Sequence, residues 1–144
     1  MKHLKLAMTV NIYQKLQSVQ TNIGQLTKTE ENKFQKYKYA TEQDILKLLR
    51  PLLKEHNLIL TFDDLPETFT SEKVEKEWIV RYCKKIVLIN TDNPTEQLIY
   101  HFWAPGQNTD IAKAKGSAET YAIKYFLTKF FLILTTDELD PDSK

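Results

Sequence analysis

The segment Trp78–Ile89 constrains this chain more than any other. Its second half, Ile86-Val87-Leu88-Ile89, is apolar at successive positions and therefore on both faces of a strand. A strand of that kind needs cover above and below, which marks it as the central strand of a sheet. Thr91-Asp92-Asn93-Pro94 is turn chemistry, and Gln97–Trp103 returns beside the central strand to make a hairpin. Leu58–Phe62 is a further apolar, β-branched strand, and Tyr37–Tyr39 supplies a short fourth. The polar stretch Pro66–Lys76 reads as a long hairpin loop, and Pro105-Gly106-Gln107-Asn108 reads as a loop.

Helical periodicity brackets these strands. Ile12, Leu16, Val19, Ile23 and Leu26 share one face, with Asn11 as N-cap and Gln14 at the third helical position. Thr41 caps a second helix, whose buried stripe is Ile45, Leu48, Leu49, Leu52 and Leu53. Pro51 lies inside this pattern and should kink or split the helix. Asn57 suits a left-handed C-cap. Asp110 or Thr109 opens a long final helix through about Leu134. The polar segment Thr27–Lys36 reads as an exposed connection. This order predicts an α+β domain, an antiparallel meander of three to four strands with helices on one face. Residues 1–134 form the one domain, and 135–144 an extended acidic tail with Asp137, Glu138, Asp140 and Asp142.

Length and composition agree with that reading. The chain has 144 residues, 42% hydrophobic and 27% charged, enough for one ordinary core. No apolar run reaches the about 20 residues that cross a bilayer, so no membrane partner is expected. Met1–Val10 has no sustained apolar core or cleavage site and does not read as a signal peptide. Cys83 is the only cysteine, which suits a reducing cytoplasm. The net charge of +1 argues mildly against a nucleic-acid partner. Its distribution argues the other way, since four lysines and only one acid, Glu119, lie between Lys113 and Lys129.

Three features carry binding chemistry. In the final helix, Lys113, Ser117, Thr120, Lys124 and Thr128 fall in one stripe with two cations, three hydroxyls and no acid. Such groups hold phosphate oxygens without reading bases. Gly116 lies beside them, where a missing side chain permits close approach of another backbone. The rest of the circumference, including Tyr121, Tyr125 and Phe126, is so apolar that the helix should be buried, leaving its polar stripe to face something specific. The alternative is the ordinary solvated side of an amphipathic helix. The second feature is Lys33-Phe34-Gln35-Lys36-Tyr37-Lys38-Tyr39, in which Lys36 and Lys38 can track a backbone while Tyr37 and Tyr39 stack on bases. The competing reading is an edge strand with core tyrosines and lysines guarding its edge. The third is Arg81, Cys83 and Lys85, alternate residues that line a groove or simply meet solvent.

Catalysis has little support. His3, His56 and His101 are isolated, and no phosphate loop, G-x-S-x-G or C-x-x-C element occurs. Asp63-Asp64 with Glu72-Lys73 or Glu75-Lys76 imitates a metal-dependent nuclease pattern at the wrong spacing. No metal or cofactor site is read from the residues.

Two stretches resemble the Erf (essential recombination function) family of phage recombination proteins. Tyr37-Lys38-Tyr39-Ala40 through Asp44-Ile45-Leu46, continuing into Leu52-Leu53-Lys54-Glu55-His56-Asn57-Leu58, is similar to its K-Y-x-Y-x-x-x-x-D-I-L element and the helix end that follows. Lys115-Gly116-Ser117-Ala118-Glu119-Thr120-Tyr121-Ala122-Ile123-Lys124-Tyr125-Phe126-Leu127 resembles its G-S-A-x-T-Y-A-x-[KR]-Y-x-L signature. The resemblance implies an annealing-protein core that binds single-stranded DNA and anneals complementary strands as a homo-oligomeric ring or helix. It implies work without ATP or metal, in the cytoplasm of a bacterial host, beside a phage exonuclease or a host single-strand-binding protein. Read from the residues themselves, Lys115 joins the final-helix stripe as a candidate DNA contact, together with Arg81, Lys85 and the Lys36–Tyr39 segment. The alternatives are a monomeric single-strand-binding module and, further off, the nuclease.

Overall fold

The computed structural model describes residues 10–26, 30–32, 37–39 and 41–135, with 30–32 and 37–39 described by backbone alone. In chain order the elements are α1 (Ile12–Asn22), β1 (Glu30–Asn32), β2 (Tyr37–Tyr39), α2 (Glu42–Glu55), β3 (Leu58–Val74), β4 (Glu77–Asn90), β5 (Gln97–Asn108) and α3 (Ile111–Phe130). Strands β3, β4 and β5 form an antiparallel sheet with β4 in the centre, as expected, but helices cover only its Ile86 and Leu88 face; Val87 and Ile89, on the other, are half-buried with no described helix over them. The helices pack against this sheet, giving the expected α+β class. Tyr37–Tyr39 is a strand but pairs with β1 in a separate two-stranded sheet, so the meander itself has three strands.

The helix termini follow local chemistry. Asn11 and Gln14 close a reciprocal capping box, and Thr41 does the same with Asp44. Asn57 takes the left-handed conformation, φ 53°, that ends α2. Pro51 does not split α2, which runs unbroken from Glu42 to Glu55. Both Pro51 and Lys47, the residue whose carbonyl loses its partner, are exposed, so the lost hydrogen bond falls on the solvent side of the helix.

Two segments expected to be loops are strand. Strand β3 continues through Pro66 to Val74 because its ladder shifts register between Leu65 and Thr70 instead of ending. Pro66 brings no N–H to the ladder there. The Thr68 hydroxyl fills the gap, accepting from the Cys83 N–H at 2.7 Å and donating to the Leu65 carbonyl at 2.6 Å. The hairpin then closes through Glu75 and Lys76, with Glu75 at φ 58°. Strand β5 likewise runs on through Pro105, Gly106, Gln107 and Asn108, because an edge strand tolerates a proline that cannot donate outward. Helix α3 stops at Phe130, short of Leu134. Leu132 turns left-handed at φ 53°, and the Ile133 N–H bonds back to the Thr128 carbonyl at 3.0 Å. The chain then returns to α1, where the Leu26 N–H donates to the Leu134 carbonyl at 2.7 Å and Leu26 bridges Thr135. Residues 136–144, most of the expected acidic tail, lie outside the described residues.

One core cluster joins Ile12, Val19 and Leu26 to Ile45 and Leu49 of α2, Ile86 and Leu88 of β4, and Ile123 and Leu127 of α3. Lys15 interrupts the α1 stripe and is buried, its ammonium held by Asn90 Oδ1 and Asp92 Oδ2, each at 2.6 Å. A buried cation is tolerable only with such partners. It ties α1 to the β4–β5 turn.

The second cluster is thinner: Val80, Tyr82 and Ala104 of the sheet against Ala114, Ala118 and Ala122 of α3. Gly106 lies under this contact, and a Cβ there would meet the Ala114 carbonyl oxygen at 2.2 Å and the Ala118 Cβ at 2.8 Å. Its φ is not positive, so the demand for glycine is steric alone. Gly106→Ala should therefore destabilise the fold by about 3 kcal/mol, the upper part of the range for overpacking against rigid backbone. Chemical denaturation checks this, and an unchanged midpoint would show that α3 lifts from the sheet at little cost.

Candidate nucleic-acid interface

The alanines decide which side of α3 faces out. Ala114, Ala118 and Ala122 stand four residues apart and lie against the sheet, and Ile123 and Leu127 complete the buried side in the main core. The expectation that the helix is buried by its many aromatic residues is corrected here. Tyr121 and Tyr125 are 52% and 63% exposed. Only Phe126 and Phe130 pack inward, with Phe126 stacked on Phe102 at 4.5 Å and Phe130 edge-on to Tyr100 at 5.1 Å.

The stripe Lys113, Ser117, Thr120, Lys124 and Thr128 lies on the outward side of α3, with Lys113 and Thr120 exposed and the other three partly so. The Lys124 ammonium stands 5.1 Å from the centroid of the Tyr121 ring. Thr128 donates its hydroxyl proton to the Lys124 carbonyl at 2.7 Å, which leaves its oxygen as an acceptor only. Gly116 shares this outward side, and an added Cβ would meet nothing within 4 Å.

Lys115 points elsewhere. On the flank of α3 nearest β3, its ammonium bonds Asp64 Oδ2 at 3.0 Å and lies 4.6 Å from the centroid of the Tyr82 ring. It belongs to a cluster centred on Lys84, only 1% exposed, which is paired with both Asp64 and Glu119. The Tyr82 hydroxyl donates to Glu119 Oε1 at 2.8 Å. Burial pushes the Asp64 carboxyl up, but the hydrogen bonds and charges of Lys84 and Lys115 outweigh it and hold the group below the ordinary carboxylate value. Burial lowers Lys84, and its two carboxylate partners more than restore it, leaving it above an ordinary lysine. Burial and the Glu119 carboxylate together push the Tyr82 phenol up. The sequence does not announce this cluster, because Asp64, Lys84 and Glu119 stand far apart in the chain and no local pattern links them.

Arg81 and Lys85 are not brought to the α3 stripe. Alternate residues Val80, Tyr82, Lys84 and Ile86 are buried beneath the helices, so Arg81, Cys83 and Lys85 face the opposite side of the sheet. That face also carries exposed Ile59, Ile79, Ile99 and Trp103, the last 57% exposed and paired in register with Cys83. Lys36 lies outside the described residues, and Tyr37, Lys38 and Tyr39 are placed as backbone in β2 without their side chains. The nuclease-like acids are dispersed. Asp63 pairs with Lys85 and Glu72 with Ile79, six β4 residues apart, about 20 Å at ~3.3 Å per residue. Among the described residues no group of three or more His, Cys, Asp or Glu is placed to hold a metal ion. Nor is any described helix long and apolar enough to cross a membrane.

The signal that would have exposed Tyr121 and Tyr125 was in the sequence. Ala114, Ala118 and Ala122 at four-residue spacing mark the close contact with another element, and the tyrosines stand beside that line. A comparison with protein families matches residues 12–144 to the ERF superfamily, a span that includes both motif stretches. A comparison with curated proteins finds no match.

Two outcomes follow from the site. Because the folded pKa of Asp64 lies below its unfolded value, its contribution to stability is complete above about pH 4 and is lost as the pH falls through the folded value. The melting temperature of the parent protein should thus fall more steeply in that acid window than that of Asp64→Asn. Parallel curves would show that the cluster adds nothing. Gly116→Ala should raise stability by up to about 1 kcal/mol, since a helix-interior glycine on open surface has only its backbone freedom to lose. If the stabilised variant keeps full DNA binding, nothing approaches the helix closely at Gly116.

Proposed function

The chain belongs to the ERF superfamily, and from that premise we propose that it binds single-stranded DNA and anneals complementary strands in phage recombination, without nucleotide hydrolysis. Membership itself points to recombination by single-strand annealing. The single observation that carries the finer reading is the outward side of α3, where Lys113, Ser117, Thr120 and Lys124 form a stripe without a carboxylate. Those groups grip phosphate oxygens and leave sequence unread, as annealing of arbitrary strands requires.

Self-association is the second part of the proposal. Ile59 and Ile99, in register with Ile89 and Val87, and Trp103 farther along leave apolar side chains exposed on the sheet face that no described helix covers, and exposed apolar surface of this kind suits a partner contact. Copies joined there would carry their α3 stripes into one array, and affinity for a long strand would grow through effective concentration. Arg81 and Lys85 on the same face would then border subunit contacts or a second stretch of DNA. Lys115, already paired with Asp64, serves the fold before it serves phosphate. Lys36, Tyr37, Lys38 and Tyr39 remain candidates for the strand's path. Cytoplasmic action, and partnership with a phage exonuclease or a host single-strand-binding protein, complete the reading.

Annealing of complementary labelled oligonucleotides in EDTA without ATP, with particle size measured in the same buffer, tests this. Annealing by particles larger than one chain supports the proposal. A monomer that binds without annealing would make the protein a simple binding module, and magnesium-dependent shortening of the strands would make it a nuclease. Within this framework Lys124→Ala should keep the fold and lower the slope of log affinity against log salt by roughly 0.7 for the lost phosphate contact. An unchanged slope in a soluble variant removes Lys124 from the site.

A further inference from the structure

Among the described residues, Tyr121 and Tyr125 take no part in either core cluster. The buried side of α3 is already filled by alanines, Ile123 and Leu127, and the two rings are more than half exposed. They lie nearly parallel, with centroids 6.3 Å apart and planes inclined by only 18°. At 100° per residue they stand immediately beside Ser117, Lys124 and Thr128. The helix thus presents cations and hydroxyls along one line and two nearly parallel aromatic faces along the next. The Lys124 ammonium, 5.1 Å from the Tyr121 ring, joins the two lines.

We infer that Tyr121 and Tyr125 are a stacking platform for unpaired nucleobases, holding the bases of a strand whose phosphates lie on the adjacent lysine-and-hydroxyl stripe. This rests on the proposed single-strand binding and adds to it the class of group recognised: the π-face of any base. A protein partner would also cover exposed tyrosines. The neighbouring line of lysines and hydroxyls favours a polyanion, and flat, nearly parallel rings suit flat, stacked ligands better than the irregular surface of a side-chain cluster. Stacking is indifferent to base identity, which fits a strand held without sequence reading.

The test uses the full chain with two probes of equal length, oligo-dT and the same phosphodeoxyribose backbone without bases. Tyr121→Ala and Tyr125→Ala should each weaken oligo-dT binding about tenfold, within the range for loss of one base–aromatic stack. The salt slope should not change, because no phosphate contact is lost. Affinity for the abasic strand should be the same in parent and variants, and Tyr121→Phe with Tyr125→Phe should restore oligo-dT binding. Thermal melts establish that each variant is folded. Equal losses on both probes, an altered salt slope, or a change in particle size on alanine substitution would overturn the platform and assign the rings to phosphate or subunit contacts. If the parent chain binds neither probe, the single-strand reading itself fails. If it binds both in a Lys124-dependent way but ignores the tyrosine changes, only this inference fails.

Discussion

The surface of α3 follows from how closely the helix lies on the sheet. A methyl group added at Gly106 would fall 2.2 Å from the Ala114 carbonyl oxygen, so the backbone of the helix nearly touches the strand beneath it. At that separation Ala114 and Ala118 leave no room for longer side chains over Gly106, and Ala122 continues their line against the sheet. A larger residue at 114 or 118 would lift the helix and open a void under its neighbours. The bulky side chains of α3 are consequently displaced from the line of contact. Phe126 and Phe130 go to the far end of the interface, over Phe102 and Tyr100, and Tyr121 and Tyr125 go to the solvent. An exposed aromatic pair is thus the geometric result of a close alanine seam, and its availability for a ligand comes from the same packing that anchors the helix.

The Lys84 cluster does a second job on the other flank. Buried ion pairs contribute little net stability, since the cost of removing charges from water offsets their attraction. Their directionality is a firmer argument. Lys84 reaches from the centre of the sheet to Asp64 on β3 and Glu119 on α3, so it fixes the helix along its length where flat alanines alone would allow sliding. The cluster also sorts charge. It absorbs Lys115 and Glu119, the one acid in the basic stretch of α3, into a locally balanced group. What remains along the outward stripe from Lys113 to Thr128 is the positive charge of Lys113 and Lys124, with the Asp110 N-cap carboxylate at its start.

Local chemistry made much of this fold legible in the sequence. The Asn11 and Thr41 caps, the left-handed Asn57 and the central place of β4 each depend on a few adjacent residues and on period alone. Pro66–Val74 and Pro105–Asn108 were misread because proline and polar residues are loop signals only where nothing else holds the chain. Here the register shift at Leu65–Thr70, the Thr68 hydroxyl and the edge position of β5 hold it, and none of these can be read from a window of sequence. The candidate site divides in the same way. Helical period alone assembled the stripe on α3, whereas its separation from Arg81 and Lys85 depends on which side of the sheet the helices cover. Aromatic character misled for a related reason: hydrophobicity says what a residue prefers, but the room available at the seam decides what is buried.

A strand held by its phosphates alone would be free to swing its bases, and each productive meeting with a complement would require them to be ordered anew. A strand held by hydrogen bonds to its bases would be ordered but could not pair. Aromatic stacking escapes this conflict, because it uses the face of a base and leaves the Watson–Crick edge open. In the proposed reading, phosphate contacts from Lys113, Ser117, Thr120 and Lys124 would set the course of the backbone, and rings at Tyr121 and Tyr125 would limit the swing of the bases while their pairing edges stay exposed. The two lines of side chains are adjacent on one rigid helix, so their relative geometry does not depend on any loop. An annealing surface needs that combination: a firm, sequence-blind grip on one strand that does not compete with the second.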